Sequence, residues 1–123
     1  MKADGTLNQS TEFTAVGYGS QEVTNGPGGQ RLTYEDIREF TVSGFDALGK
    51  TYLRLTQNPA LGYGGTCYGD SGGPNFLGAG PSETDVIAGL TTTGDRFCKS
   101  TNTTTRVDTD QAGNFLGEYV TLP

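Results

Sequence analysis

The sequence predicts an all-β domain, a six-stranded antiparallel barrel with a short C-terminal helix. Composition is the first reason: the chain contains 20 glycines and is rich in threonine, residue types that favour tight turns and strands over helices. The second reason is that short alternating segments recur with turn signals between them, as in small barrels. With 123 residues, the chain has room for one compact domain, which we assign to residues 1–123.

Three strands are predicted in the first half of the chain. Residues 11–18 (TEFTAVGY) partly alternate and are rich in β-forming residues. Residues 38–45 (REFTVSGF) and 51–56 (TYLRLT) alternate apolar with polar side chains, which predicts half-buried strands. Between the first two, residues 20–30 contain the run NGPGG and are predicted to be a turn or loop.

The second half is predicted to contain three more strands and the helix. The strands are expected at 74–77, 85–92 and 103–107. The segment 85–92 (DVIAGLTT) is the most apolar run, so it is expected to be buried. From about Asp108 to Val120, apolar side chains recur at helical spacing, which predicts a short amphipathic helix. Core positions are expected for Phe13, Phe40, Phe45, Phe76 and Phe115.

Charge and composition exclude several classes of partner. The formal net charge of −6 argues against nucleic acid and anionic membrane surfaces, which need basic patches. No apolar run approaches the length of about 18 residues that a membrane span needs. The two cysteines, Cys67 and Cys98, permit a disulfide, two free thiols or half a metal site. With no histidine to complete a zinc site, we predict neither a metal nor a cofactor.

The beginning of the chain does not look like a secretion signal. Residues 1–10 (MKADGTLNQS) lack the apolar core of a signal peptide. We therefore expect either that the mature protein begins elsewhere or that this chain is a piece of a longer one.

The segment Cys67–Pro74 (CYGDSGGP) carries the clearest chemical signal. A serine nucleophile needs an exposed hydroxyl on a rigid, sharply turned backbone, with N–H groups directed at the developing oxyanion. Ser71 provides the hydroxyl, and the N–H groups of Gly69 and Ser71 are the expected donors. Asp70 cannot act as the base for Ser71, because adjacent side chains diverge. It is expected to be a buried acceptor that holds the loop.

This segment resembles the nucleophile signature of the chymotrypsin/trypsin family of serine peptidases. Val16–Gly19 (VGYG) resembles a strand end near the start of the family's second barrel. Ile87–Gly94 (IAGLTTTG) is similar to its substrate-binding strand, and Thr105–Val107 (TRV) resembles the strand that leads into its C-terminal helix. The resemblance runs from about residue 11 to 121. It implies that the chain is the C-terminal Greek-key barrel of such an enzyme.

The resemblance also implies roles for individual residues. Ser71 would be the acyl-forming nucleophile, Gly69 and Ser71 the oxyanion donors, and Asp70 the acceptor of an amino terminus. A disulfide between Cys67 and Cys98 would brace the substrate pocket and indicates a secreted or extracytoplasmic location. The floor of that pocket would be Gly65 and Thr66, and its wall Thr92, Thr93 and Gly94. Trypsin-like members have Asp where this chain has Gly65, so a neutral pocket for small or medium apolar side chains is expected.

The family's catalytic His and Asp lie on a first barrel that this chain lacks, and the chain has no histidine at all. Three hypotheses follow. In the first, the chain is a peptidase half that needs a missing N-terminal barrel. In the second, it is a stand-alone, esterase- or lipase-like hydrolase of activated or lipid esters, and in the third it is a non-enzymatic binding domain. A Ser–Lys pair using Lys50 or Lys99 is a further alternative. A lone barrel should also expose the apolar face that a sister barrel would cover, so self-association is expected.

Overall fold

The fold is a closed six-stranded antiparallel barrel with one short helix. The computed structural model describes residues 7–20, 22–26, 29–33 and 39–122, with the backbone alone at 22–26, 29–33 and 39. Around the barrel the strands follow the order β1-β4-β5-β8-β7-β6, and β6 pairs with β1 to close it. The bounds are β1 Glu12–Gly17, β4 Glu39–Leu48, β5 Tyr52–Thr56, β6 Pro74–Leu77, β7 Ile87–Gly94 and β8 Thr101–Arg106. The predicted fold class is confirmed.

Two additional strands lie where the sequence predicted a turn or loop. The strands β2 (Glu22–Gly26) and β3 (Gly29–Thr33) pair with each other as an antiparallel two-stranded sheet. The prediction for residues 20–30 is therefore wrong for the described part of that stretch. The run NGPGG is typical of a turn and predicted one. The β-forming residues on either side of it allow β2 and β3 to pair as strands.

The barrel interior is apolar at one level and polar at another. Phe13, Leu53, Leu55 and Ala88 form a fully buried apolar cluster. Beside it lies a chain of side-chain hydrogen bonds. The Asn102 Nδ2 donates to Asn75 Oδ1 at 2.9 Å, and the Asn75 Nδ2 donates to Thr91 Oγ1 at 2.9 Å. Both asparagines are fully buried. These bonds tie β6, β7 and β8 together beneath the loop that contains Ser71.

Several side chains expected in the core are not there. Phe40 is 57% exposed and Phe115 is 62% exposed, so the prediction fails for both, whereas Phe13 is fully buried. The strand β7 is likewise not buried as a whole. Its Ile87 and Leu90 face outward, while Ala88 and Thr91 face the interior. An apolar run is buried on both sides of a sheet only when something covers each side.

The helix α1 spans Asp110–Leu116, which is shorter than the expected range of about 108–120. It begins where the Thr109 hydroxyl accepts a hydrogen bond from the Ala112 N–H at 3.2 Å. None of its residues is buried. Its apolar side and the outer side of β7 instead enclose an open groove of about 790 Å³. We call this the apolar groove; its apolar lining residues are Val86, Ile87, Leu90, Val107, Leu116, Val120 and Leu122.

Candidate active site

Ser71 lies on an exposed, sharply turned loop between a 3₁₀ turn at Pro59–Leu61 and β6. The turn depends on glycines with positive φ on both sides of it, 95° at Gly69 and 84° at Gly72. Side chains other than glycine are strained at such angles. The loop therefore holds its tight geometry because residues without a Cβ flank the Asp70–Ser71 pair.

Backbone hydrogen bonds attach one side of this loop to β7. The Gly72 N–H donates to the Thr91 carbonyl at 2.8 Å, and the Thr91 N–H donates to the Gly73 carbonyl at 2.9 Å. The Gly73 N–H also donates to the Asp70 carbonyl at 2.9 Å. Ser71 is thus held next to the strand that forms one wall of the neighbouring cavity.

Asp70 attaches the other side of the loop to the end of β1. Its Oδ1 accepts the Gly19 N–H at 2.8 Å, and its Oδ2 accepts the Cys67 N–H at 2.9 Å. A Cβ on Gly17 or Gly19 would collide with this carboxylate. Because neither position has a side chain, the Asp70 carboxylate can reach the backbone of the VGYG segment.

Two backbone N–H groups of the Ser71 loop have no acceptor among the described residues. Among the described residues, neither the Gly69 N–H nor the Ser71 N–H donates a hydrogen bond. These are the two donors that the sequence predicted for an oxyanion. Unpaired N–H groups on a rigid turn are suited to stabilise negative charge on a substrate oxygen.

No base among the described residues forms a hydrogen bond with the Ser71 hydroxyl. No hydrogen bond joins Ser71 Oγ to any described residue, and neither Lys50 nor Lys99 is bonded to it. Both lysines are exposed. Within the described part of the chain, the loop therefore presents an exposed serine hydroxyl and two N–H donors without a group that would take the serine proton.

A cavity of about 240 Å³ opens next to Ser71. Thr66 and Cys67 line one side, and the segment 91–95 lines the other. This brings Ser71, Thr66, Thr92, Thr93 and Gly94 together as the sequence resemblance implied. Gly65 is not among the lining residues; it borders a separate cavity of about 160 Å³ that also contains Asp70. We call the cavity next to Ser71 the Ser71 cavity.

The disulfide between Cys67 and Cys98 joins the two walls of the Ser71 cavity. Its Cα atoms lie 5.3 Å apart, and 31 positions separate the two residues along the chain. The chain-entropy treatment gives a stabilisation of about 3.7 kcal/mol for a loop of this length. The predicted disulfide is confirmed, and both cysteines line the cavity.

A β-bulge shapes the second wall. The pairing of β7 with β8 shifts register between Thr91 and Thr93, so Thr92 has no partner in the ladder. The Thr92 hydroxyl instead contacts the Thr105 hydroxyl at 2.6 Å. Bulges commonly redirect a strand beside a binding site, and this one turns the 92–94 segment along the cavity.

Sequence reasoning did not identify Tyr68, Asp95 or Gln57 as parts of this site. The Tyr68 hydroxyl donates to the Arg96 carbonyl at 3.1 Å and so connects the two walls. Asp95 lines the cavity, and Gln57 lies beneath it, only 1% exposed. No local motif marks these residues, because the contacts that place them join separate strands and loops.

The pKa of the Asp95 carboxyl is set by two opposing effects, burial and hydrogen bonding. Burial raises the pKa of its carboxyl, and this is the largest single effect. The N–H groups of Thr101, Lys99 and Ser100 together outweigh it, so the pKa lies below the ordinary aspartate value. The three N–H to carboxylate distances are 2.9 Å, 3.1 Å and 2.9 Å.

Comparison with known proteins gives no relative from which a function can be taken. No protein-family model matches the chain, and no curated protein matches it significantly in sequence. Over the described residues, no helix has the length and apolar character needed to cross a membrane. The same part of the chain contains no cluster of three or more potential metal ligands.

Proposed function

We propose that this chain is the nucleophile-bearing half of a serine hydrolase related to the chymotrypsin/trypsin family, with Ser71 as the acyl-forming nucleophile. One arrangement carries the proposal. An exposed serine lies on a loop fixed at both sides, next to two unpaired N–H groups and a cavity. A serine in an ordinary surface turn has no need of this combination.

In the proposed reaction, the Ser71 oxygen attacks the carbonyl carbon of a peptide or ester. The carbon–oxygen double bond becomes a single bond, and the resulting oxyanion accepts hydrogen bonds from the N–H groups of Gly69 and Ser71. The serine proton passes to a base and then to the leaving group. Collapse of the intermediate leaves an acyl group on Ser71, which water removes in a second round.

We place the base on a second domain, because this chain has no histidine, and the apolar groove offers a surface for the domain that carries it. Leu90 of β7 lines the groove, and Thr91 of the same strand lines the Ser71 cavity from the other face. A domain seated in the groove would therefore contact the strand that also borders the Ser71 cavity. We propose that a histidine-bearing domain occupies it and that the assembly acts outside the cytoplasm, where the Cys67–Cys98 disulfide is stable.

Chemical rescue with imidazole tests the proposed role of Ser71 without requiring the partner domain. The wild type is incubated with a fluorophosphonate probe, with and without added imidazole, and labelling is followed by intact mass. We expect slow labelling alone and a rate that rises with imidazole concentration, because free imidazole can accept the serine proton. Sodium chloride at matched ionic strength is the control for salt effects.

Two variants define the outcome. Ser71→Ala should abolish labelling under all conditions, whereas Ser100→Ala, which removes another exposed serine, should not. Rapid labelling of the wild type without imidazole, together with ester turnover, would favour a stand-alone hydrolase. No Ser71-dependent labelling at any imidazole concentration would overturn the proposal and favour a non-enzymatic binding domain.

A further inference from the structure

The strand β6 follows directly on the loop that carries Ser71, and Asn75 is its one buried residue. An asparagine in a barrel interior costs free energy unless its amide is hydrogen-bonded. Both ends of this amide are used, because Oδ1 accepts from Asn102 and Nδ2 donates to the Thr91 hydroxyl, each at 2.9 Å. The amide of Asn75 is therefore held in one orientation.

Stability alone does not account for this pair of asparagines. The Oδ1 of Asn102 is buried and accepts no hydrogen bond from the described residues. A buried acceptor without a partner lowers the free energy of unfolding, whereas apolar side chains of similar shape would fill the interior without that cost. Buried polar groups of this kind can instead select one register of the strands around them.

The backbone pairing next to the loop is irregular, so its register needs such a contact. The pairing of β6 with β7 shifts register after Asn75, and the pairing of β7 with β8 shifts after Thr91. Pro74, the first residue of β6, has no N–H to donate to the ladder. Only a short stretch of β7, residues 89–91, is therefore paired regularly with the chain that leaves the loop.

Thr91 is the residue at which the buried side chains and the loop meet. Its hydroxyl accepts from Asn75, while its backbone bonds the two residues that follow Ser71. The Gly72 N–H donates to the Thr91 carbonyl at 2.8 Å, and the Thr91 N–H donates to the Gly73 carbonyl at 2.9 Å. A displacement of Thr91 along β6 would therefore move the backbone next to the serine.

We infer that Asn75, with its amide oriented by Asn102, is a positioning residue for Ser71 that acts through Thr91. The side-chain bond fixes where β7 lies along β6, and the backbone bonds of Thr91 then fix where the loop places the serine. Both asparagines are fully buried, so neither side chain reaches a substrate. As far as it concerns the reactivity of Ser71, the inference rests on the proposed function.

Amide hydrogen exchange tests the fixing of the loop without any reaction. The exchange rate of the Gly72 N–H reports how firmly the loop is held to β7, and that of Leu55, on a strand paired on both sides, reports opening of the barrel. Thr91→Val keeps the backbone and the shape of residue 91 but removes the hydroxyl. We expect protection at Gly72 to fall about tenfold more than at Leu55, which corresponds to the loss of one buried hydrogen bond.

Two further variants separate this effect from a general loss of stability. Thr91→Ser keeps the hydroxyl and should preserve the ratio of protection between Gly72 and Leu55. Thr14→Val removes a buried hydroxyl at the far end of β6, where it donates to the Gly78 carbonyl at 2.9 Å, and should lower both amides by the same factor. An equal loss at both amides in Thr91→Val would mean a purely structural role and would reject the inference.

Asn75→Val removes the donor instead of the acceptor. The same selective loss of protection at Gly72 is expected, because either substitution breaks the one bond between β6 and the Thr91 side chain. Equal loss at Gly72 and Leu55 in this variant would likewise count against the inference. The comparison of Thr91→Val with Thr91→Ser does not depend on whether Asn75→Val folds.

The reactivity of Ser71 is measured as fluorophosphonate labelling at a fixed imidazole concentration, under conditions in which every variant is folded. Thr91→Val should be labelled on the order of tenfold more slowly than the wild type, because a misplaced reacting group lowers the rate. Thr91→Ser and Thr14→Val should be labelled at close to the wild-type rate. Labelling of Thr91→Val at the wild-type rate, despite a selective loss of Gly72 protection, would show that Asn75 holds the loop without positioning the serine, contrary to the inference.

The two proposals fail in different ways. Selective loss of Gly72 protection in Thr91→Val, with no Ser71-dependent labelling of the wild type, would reject the hydrolase chemistry and support the fixing of the loop by Asn75. Labelling that needs Ser71, together with equal loss at Gly72 and Leu55, would mean a hydrolase whose loop is positioned by other contacts.

Discussion

Asp70 shows how a single side chain can organise the loop that carries Ser71. Its two carboxylate oxygens accept the N–H groups of Gly19 and Cys67, which come from opposite sides of the loop. The resemblance to the chymotrypsin/trypsin family implies that this residue accepts an amino terminus. Here both oxygens already have donors within the chain. The geometry of the loop therefore needs no further cation at Asp70.

We predict that Asp70→Asn destabilises the fold. An asparagine keeps only one acceptor oxygen, so either the Gly19 or the Cys67 N–H loses its partner and faces an NH₂ group instead. An unsatisfied polar group of this kind costs about 1–3 kcal/mol. Urea denaturation would measure the loss, with Glu83→Gln as the matched control because Glu83 is exposed and its side chain makes no hydrogen bond with the described residues.

The same substitution separates anchoring from mere folding. If Asp70 positions the loop, the amide resonances of Gly69 and Ser71 should shift in Asp70→Asn, while those of the buried Leu53 and Leu55 stay close to their wild-type positions. Unchanged stability together with unchanged Gly69 and Ser71 resonances would show that the two hydrogen bonds do not hold the loop.

The sequence predicted those parts of the site that lie within one continuous segment. Gly69, Ser71 and the glycines after it could be assigned because tight turns and nucleophiles have local requirements. Asp95 and Gln57 could not, because their contact joins residues 38 positions apart and depends on how β5 meets the loop after β7. Nothing in the composition near Asp95 distinguishes it from an exposed acid on any other loop.

At the scale of elements, β8 is a strand with polar side chains toward the interior, and its last residue, the buried Arg106, forms an ion pair with Asp108 in the turn that follows. The strand alternates Asn102, Thr104 and Arg106 toward the inside. Arg106 is only 3% exposed, and its Nε and Nη2 both donate to the Asp108 carboxylate at 2.8 Å. A further bond from Nη1 reaches the Gly49 carbonyl at 2.7 Å. The ion pair thus joins the end of β8 to the β4–β5 turn.

This ion pair gives stability a defined dependence on pH. Hydrogen bonding from Arg106 is the main reason that the pKa of Asp108 is lowered, and the pKa of Asp95 is lowered as well. A carboxyl whose pKa is lower in the folded state stabilises the fold above its unfolded pKa, about 4 for aspartate, and loses that contribution as the pH falls through the folded value. We predict a free energy of unfolding that declines below about pH 4.

Denaturant melts between neutral and acidic pH would measure this decline. Asp108→Asn should lower stability at neutral pH and make the acidic decline shallower, because the group that titrates is gone. Asp110→Asn, an exposed acid in the first turn of α1, should change the slope much less. A wild-type curve that stays level into the acidic range would contradict the prediction.

The predictions that failed for whole elements concern properties that depend on the tertiary environment of the element. Alternation correctly located β1, β4 and β5, since the period of a strand is a local property. It could not show that Ile87 and Leu90 of β7 face outward, because a continuous apolar run fits a strand covered on both sides as well as one covered on one side. The helix ends at Leu116, ahead of the expected Val120, with glycines at 113 and 117 that weaken helical propensity.

At the scale of the whole molecule, the barrel is closed but its surface is not uniformly polar. The apolar groove gathers exposed side chains from β7, α1 and the C-terminal residues, among them Ile87 at 41% exposure and Val120 at 54%. Asp85 and Asp108 also line it, and the chain carries a net charge of −6. The groove therefore favours association through apolar contacts, while the charge opposes association between copies.

These opposing effects predict self-association that strengthens with salt. Screening lengths fall from about 10 Å at 0.1 M to about 3 Å at 1 M salt, which removes most of the repulsion between like-charged copies and leaves the apolar contacts intact. We expect the weight-average mass from analytical ultracentrifugation to rise with protein concentration and to rise further at high salt.

Two variants test whether the groove is responsible. Val120→Asp, inside the groove, should keep the chain monomeric. Leu61→Asp, at a residue 63% exposed outside the groove, adds the same charge and should not. A monomeric wild type at high concentration and high salt would show that this face does not bind a second copy, and equal effects of the two substitutions would show that net charge, rather than the groove, controls association.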